Sequence, residues 1–318
     1  MSQGAYTSTR ELARLRYQAR GFSYLPAQPV GSVLSGRKRS RLRGRGLDFD
    51  ELRHYRPGDD IRNMDWKVTR RTGQPYIRVF TEERDRPVWI LVDQRLSMFF
   101  GSEYQLKSVA SADIAALTAW RVISQGDRVG CLMFNDHEHY MAKPSRSPGK
   151  IMSWLAKLAA MNNALHANAS WTSDAEAFHR ALKKLSTQVH HDGLIVIASD
   201  FYGWNPACLE AIKKIRQHND VICALVSDPL ERDISSARKL VVSDGRFQLE
   251  IDPEHKDTRQ RYQTDFANSY ESIEASLKRH NIPLLSIDTR LPAATQLQRQ
   301  LSGQSASHVA TAGKEHAK

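Results

Sequence analysis

The sequence predicts an α/β fold built on a doubly wound, mostly parallel sheet flanked by helices. Three observations carry this. After Arg86, apolar runs bounded by turn residues alternate with amphipathic helical segments. Two of the runs, VWILVD and IVIASD, end on an aspartate, Asp93 and Asp200, and in such sheets ligands bind beyond the carboxyl ends of the strands. With 318 residues, 41% of them apolar, the chain can bury a sizeable core and is globular rather than disordered.

Taken in order, YTSTRELARLRYQAR (6–20) starts with Ser/Thr caps and carries Leu12 and Leu15 at helical spacing, with Arg10, Arg14, Arg16 and Arg20 on the remaining faces. Such a helix either docks on the body or binds a partner. SGRKRSRLRGRG follows as a basic arm, and residues 46–86 read as extended, with YIRVF the clearest strand. VWILVD is a buried strand, 104–125 an amphipathic helix, DRVGCLMF a second strand and HEHYMAKP its hairpin partner. Two helices, GKIMSWLAKLAAM and SDAEAFHRALKKLS, precede the strand GLIVIASD. The helix ACLEAIKKIRQ, the strand DVICALVSDP, a short hairpin (KLVVSDGRFQLEID), a helix over 257–279 and the strand IPLLSID close the alternation. Four parts are expected: a basic helix and arm (1–45), a charged extended segment packed on the main domain (46–86), the α/β domain (87–290) and a polar tail that frays (291–318).

The net charge of +11 is local: ten Lys/Arg against Glu11 between Arg10 and Arg45 account for +9. The arm residues Arg37, Lys38, Arg39, Arg41, Arg43 and Arg45 suit acidic protein surfaces, anionic lipid or nucleic acid. Binding to phosphates would weaken steeply with salt, but the arm lacks the interleaved aromatics that stack on single-stranded bases. Cys131, Cys208 and Cys223 fall in apolar stretches without metal-ligand spacing, as buried thiols of a reducing, cytoplasmic protein would. No apolar run approaches the roughly 18 residues of a membrane span.

Motifs argue against catalysis. The sequence has no G-x-x-x-x-G-K-[ST] loop, G-x-S-x-G elbow or H-E-x-x-H pair. His190 and His191 are adjacent and so face apart on an extended chain, while His137 and His139 share a face without a third ligand nearby. In LRHYRPGDDIRNMDW, Arg53, Arg56 and Arg62 interleave with Asp59, Asp60 and Asp65 around a Pro57-Gly58 turn, with Tyr55 and Trp66 able to pack beneath. The block fits an ion-pair belt that clamps the amino-terminal region, or a partner surface. A metal-holding acid cluster of Asp59, Asp60, Asp65, Glu82 and Glu83 is disfavoured, because arginines neutralise the acids.

The run GRGLDFDELRHYRPGDDIRNMDWKVTRRTGQPYIRVFTEERDRPVWILVDQRLSM, followed by FGS, resembles the bacterial domain-of-unknown-function-58 family, whose members carry a von Willebrand factor A-like domain. The likeness covers roughly 34–230 and is dense over 44–101. It implies a cytoplasmic, non-enzymatic adaptor that works with MoxR-type AAA+ ATPases and other von Willebrand A-like proteins in assembly or maturation of other proteins. The alternative is a protein that binds nucleic acid or anionic membrane through residues 36–45.

The resemblance also implies a metal-ion-dependent adhesion site of the pattern Asp-x-Ser-x-Ser, completed by a Thr and a later Asp. Asp93, Ser97 and Asp200 match three of these ligands, and Thr172 or Ser173 stands nearest the Thr. Mg²⁺ wants hard oxygens at about 2.1 Å in an octahedron, yet the middle serine is Arg95, which cannot ligate and would repel a cation. The expectation is a degenerate site without a cofactor, in which the Arg95 guanidinium pairs Asp93 and Asp200 and relieves their repulsion. If an ion binds at all, Mg²⁺ on Asp93, Ser97 and Asp200 is the form to expect.

Overall fold

The structure is a computed structural model that describes residues 4–22, 24, 47–82, 86–166, 172–232, 240–243, 248–251 and 256–301. The basic arm, Arg37 to Arg45, lies outside them. The chain divides into two compact units, Gln28–Asp85 and the remainder.

The larger unit is built on a six-stranded sheet. Its strands are β3 (Val88–Asp93), β4 (Val129–Phe134), β5 (His139–Ser145), β6 (Leu194–Ser199), β7 (Asp220–Ser227) and β10 (Leu284–Asp288), in the order β10-β7-β6-β3-β4-β5. All neighbours are parallel except the β4–β5 hairpin at one edge. β3 and β6 are buried along their whole length, which is why they read as unbroken apolar runs. Alternation along β3 divides the core. Val88, Ile90 and Val92 face one apolar cluster, with Trp89 and Leu91 in the other.

The first cluster is covered by α3 (Lys107–Ser124) and α4 (Pro148–Asn163). The second takes the buried faces of α5 (Glu176–Ser186), α6 (Pro206–Arg216) and the later part of α8 (Lys256–Arg279). Between β7 and α8 lie the short α7 (Pro229–Arg232) and the hairpin β8 (Leu240–Ser243) with β9 (Gln248–Ile251).

The amino-terminal helix takes one of the two readings its sequence leaves open, and the carboxy-terminal segment differs from expectation. The amino-terminal residues belong to the larger unit. There α1 (Thr9–Arg14) starts on a Ser8–Glu11 capping box and tightens into a 3-10 turn at Leu15–Tyr17. Leu12 is fully buried and its carbonyl accepts a 2.9 Å hydrogen bond from the Trp120 indole, so this helix docks on the body. At the other end, residues 293–301 form a helix, α9, rather than fraying. Ala293, Ala294, Leu297 and Leu301 make its buried stripe, while 302–318 lie outside the described residues.

The smaller unit is a hairpin of β1 (Leu47–His54) and β2 (Tyr76–Glu82). Between the strands sits α2 (Trp66–Thr72), which the extended reading of this segment did not contain. Its boundary signals are local: Asp65 caps the Lys67 and Val68 amides at 3.0 Å each, and Gly73 closes the helix at φ +73°. The three cysteines are free and buried, and burial raises the Cys131 and Cys223 thiols well above their ordinary range. Among the described residues, no helix is long and apolar enough to cross a membrane.

Candidate functional site

Five parallel strands run to the same edge of the sheet, and each delivers an aspartate there. Across the sheet these are Asp288, Asp228, Asp200, Asp93 and Asp136, following β10, β7, β6, β3 and β4. Four of them accept a hydrogen bond from the amide two residues on: Arg95 to Asp93 at 3.0 Å, and Tyr202, Leu230 and Arg290 to Asp200, Asp228 and Asp288 at 2.9 Å each. This is the Asx-turn, and it turns the chain sharply off each strand. Asp136 instead ties two loops together, accepting from the Leu96 amide at 2.7 Å and the Asp174 amide at 2.8 Å. Aspartates after strands are therefore first a way of building this edge.

Two of the five also share a cation. Arg95 is 0% exposed. Its Nη2 donates to Asp93 Oδ2 at 2.6 Å and to Asp200 Oδ1 at 3.3 Å, and its Nε reaches Asp93 Oδ1 and Oδ2 at 3.0 and 3.1 Å. Nη1 donates to the Tyr202 carbonyl at 2.9 Å. Phe134, Phe178 and Tyr202 surround the guanidinium, with ring centroids 5.5, 5.6 and 5.8 Å away, a geometry in which aromatic faces stabilise a cation. A second buried cation, Lys107 at the start of α3, donates to Asp200 Oδ2 at 3.0 Å and also pairs with Glu231. The Ser199 hydroxyl donates to Asp93 Oδ2 at 2.6 Å.

The backbone is shaped to this cluster. Phe201 adopts φ +57°, uncommon for a bulky residue, and its amide is held by Ser199 Oγ at 2.9 Å. Gly203 follows at φ +79°, where a Cβ would stand 2.2 Å from the Ala175 carbonyl oxygen. The loop after β6 is thus bent tightly over the arginine.

Burial opposes every charge in the crevice, and the balance differs from group to group. For Asp200, burial would raise the carboxyl, but Lys107 and Arg95 bring it down to about 2. For Asp93, fully enclosed, burial prevails and raises the carboxyl, although Arg95 and Ser199 oppose it. Every group bonded to Asp93 is a donor, so the set is complementary to the carboxylate form. Asp93 and Asp200 carboxylates more than offset the burial of Arg95, and its guanidinium is held above even its ordinary value.

The residues present do not fit a divalent cation. Both oxygens of Asp93 and both of Asp200 accept from nitrogen or hydroxyl donors, leaving none oriented to a shared ion. The structure bonds Arg95 to both Asp93 and Asp200, whereas the buried Ser97 hydroxyl has no hydrogen-bond partner among the described residues. Ser173, a candidate for the family's Thr position, is likewise unpartnered at Oγ. No group of three His, Cys, Asp or Glu side chains among the described residues is arranged to hold a metal. His191 lies edge-on to His218 at 4.6 Å.

In the smaller unit the charged block forms discrete local pairs. Arg53 grips Asp59 with two bonds of 2.9 and 2.7 Å, across the turn made by Gly58 at φ +101°. Asp59 also accepts from the Arg56 amide at 2.8 Å, and Asp60 from the Arg62 amide at 3.0 Å. Asp65 caps α2 and binds Arg78 Nε at 2.8 Å. The Arg53 side chain and Arg56 amide hold the Asp59 carboxyl below its usual range, as the Val68 amide and Arg78 do for Asp65. Tyr55 is half-buried and its amide donates to the Pro75 carbonyl at 2.9 Å. Trp66 corrects the expectation of a ring beneath the network: it opens α2 and is 66% exposed. Glu83 lies outside the described residues.

Sequence reasoning missed several partners. Lys107 is 93 positions from Asp200 and read as one polar residue of an amphipathic helix. Gln94 carries no signal in the sequence, yet its side chain donates to the Asp93 and Ser108 carbonyls and accepts from Asn162, which in turn accepts from the Thr7 amide. That buried chain connects the crevice to the amino-terminal segment. The one available signal for Asp136, Asp228 and Asp288 was the repeated ending of an apolar run on Asp.

A protein-family model described as "Protein of unknown function DUF58" matches residues 51–272, starting later and running further than the resemblance over 34–230, and taking in the β8–β9 hairpin and much of α8. The uncharacterized protein Rv1480 of Mycobacterium tuberculosis (strain H37Rv) is 28% identical over 278 residues, covering 82% of this chain and 81% of that one. Among solved structures, the chain is similar to the conserved hypothetical protein BatB from Bacteroides thetaiotaomicron, with a TM-score of 0.39, 11% identity, and 70% and 99% of the two chains covered. It is also similar to the SpRpn10 VWA domain, with a TM-score of 0.28, 15% identity, and 46% and 89% covered. The family match spans more than half of the sequence and contains the whole Asp93–Arg95–Asp200 cluster, so the chain belongs to the DUF58 family of proteins of unknown function.

Proposed function

We propose that this chain is a non-enzymatic protein-interaction module, von Willebrand A-like, whose degenerate adhesion site carries a fixed arginine in place of a divalent ion. The observation that carries the reading is Arg95, fully buried and shared between Asp93 and Asp200. A crevice at the strand ends is where such a sheet receives ligands. Here it is filled from within, and the Ser199 hydroxyl beside the charges donates to a carboxylate rather than to a base. That arrangement supports a scaffold more than a nucleophile or a metal centre.

A filled crevice can still recognise a partner, because it fixes the loops around it. Arg95 holds the Tyr202 carbonyl, and the Tyr202 ring is half exposed, as are Tyr104 after β3 and Leu291 after β10. Exposed tyrosines on rigid loops suit protein interfaces, since few rotamers are lost on binding. The partner class favoured by family membership is a MoxR-type AAA+ ATPase, with other von Willebrand A-like proteins beside it, in assembly or maturation of a client. The test is capture of a MoxR-type ATPase encoded in the same genome by the purified chain, with and without EDTA. Capture that is indifferent to EDTA and weakened by Tyr202→Ala supports the reading. Capture abolished by EDTA, or none at all, would sink it.

A further inference from the structure

Away from the crevice, the arginines of the docked amino-terminal segment meet two others. Arg16 in the 3-10 turn, Arg20 just after it, Arg121 in the last turn of α3 and Arg146 ahead of α4 line one cavity of about 710 Å³, together with Tyr17 and Trp120. No carboxylate among the described residues lines it. Among the described residues, Arg16, Arg20 and Arg121 have no ion-pair partner, and Arg121 Nε is buried without a hydrogen bond. A cation at the end of α3 complements that helix's dipole, which accounts for Arg121 alone. It does not account for Arg16 and Arg20, which another segment brings to the same cavity.

The walls are held in place. Trp120 is fixed by its indole bond to Leu12, and Arg16 lies over its ring at 5.8 Å. The segment carrying Arg20 is held by the Gln298 amide of α9, which donates to the Gln18 and Arg20 carbonyls at 3.3 and 2.9 Å. Tyr17, in contrast, is 78% exposed, an aromatic face with nothing stacked on it in the ring contacts of the described residues.

We infer that this cavity is an anion site for a soluble nucleotide-type polyphosphate, with phosphates on Arg16, Arg20 and Arg121 and the flat ring on Tyr17. The volume is that of a small-molecule pocket, on the order of 300–1,000 Å³. Guanidinium forks match phosphate oxygens in pairs. Like charges around one cavity repel, and a polyanion removes that cost. The stacking surface distinguishes a nucleotide from bare polyphosphate. This site is built from residues other than those of the strand-end crevice.

The test is calorimetry on the full chain at low salt with ADP, ATP and tripolyphosphate. The expected result is saturable binding to all three, weakened at least about tenfold by Arg16→Gln with Arg121→Gln, and separately by Arg20→Gln. Tyr17→Ala should weaken ATP by about tenfold while leaving tripolyphosphate within about twofold. Thermal unfolding of each variant checks that it is folded. No binding up to millimolar concentration overturns the inference, as does unchanged affinity in folded variants. Loss on replacing Arg37, Lys38 and Arg39 instead would assign the anion to the arm. Capture only by vesicles bearing phosphorylated inositol lipid would assign it to a membrane, and competition only by polyglutamate to an acidic protein; either outcome overturns the nucleotide.

Discussion

Arginine does opposite work in two regions of this molecule. In the crevice, Arg95 is fully buried and each nitrogen of its guanidinium bonds to an acceptor from the same chain. In the cavity beside α3, Arg16, Arg20 and Arg121 converge without a carboxylate among the described residues. The difference is one of completeness. A buried ion pair must be satisfied internally or it costs several kcal/mol, so it fixes structure. Unpaired cations at a concave surface leave their field for something that arrives from outside.

The largest expected effect follows from breaking the complete set. Arg95→Ala leaves Asp93 and Asp200 buried and facing each other, and should lower unfolding stability by about 3–5 kcal/mol in urea melts. Arg16→Gln in the cavity should change it by less than about 0.5 kcal/mol. Equal losses from the two variants would erase the distinction.

Acid titration sharpens it next. Asp200 has a folded pKa of about 2, below the ordinary carboxyl value, so its contribution is present above the unfolded pKa and lost as pH falls toward 2. That window is worth about 2 kcal/mol. In Asp200→Asn, the slope of stability between about pH 4 and 2 should flatten.

Asp113 on α3 has the reverse sign. Burial first, and then the nearby Glu11 of α1, raise its carboxyl to about 7. Its contribution is full below the unfolded pKa near 4 and is lost as pH rises through 7. Asp113→Asn should therefore be more stable than the parent at pH 8, by on the order of 1 kcal/mol after solvent screening of a half-buried group. A loss at pH 8 would show that the carboxylate is paired there.

Smallest of all is the hairpin unit. Arg78 is half exposed where it meets Asp65, and Arg78→Ala should shift the melting temperature by no more than about a degree or two. A larger shift would give the hairpin pairs the weight reserved here for the crevice.

Much of this was legible in the sequence, for identifiable reasons. Parallel strands buried along nearly their whole length are continuous apolar runs, so β3, β6 and β7 stand out. Asp93 and Arg95 are two residues apart, close enough for local chemistry to predict their pairing. Lys107 was hidden because only the fold brings it to Asp200, and a lysine on a helix usually signals solvent. The α9 helix was hidden by composition: alanine and glutamine look like tail, although Ala293, Leu297 and Leu301 stand at helical spacing. The α2 helix is only seven residues long, and its signals, Asp65 and Gly73, lie inside a block dominated by charge.

The central claim is that the crevice is filled by Arg95 and works without a divalent ion. Calorimetric titration of the purified chain with Mg²⁺ and Mn²⁺ tests it most directly. No saturable heat is expected at concentrations below about a millimolar, whereas micromolar binding that disappears in Asp93→Ala would contradict a crevice filled by Arg95.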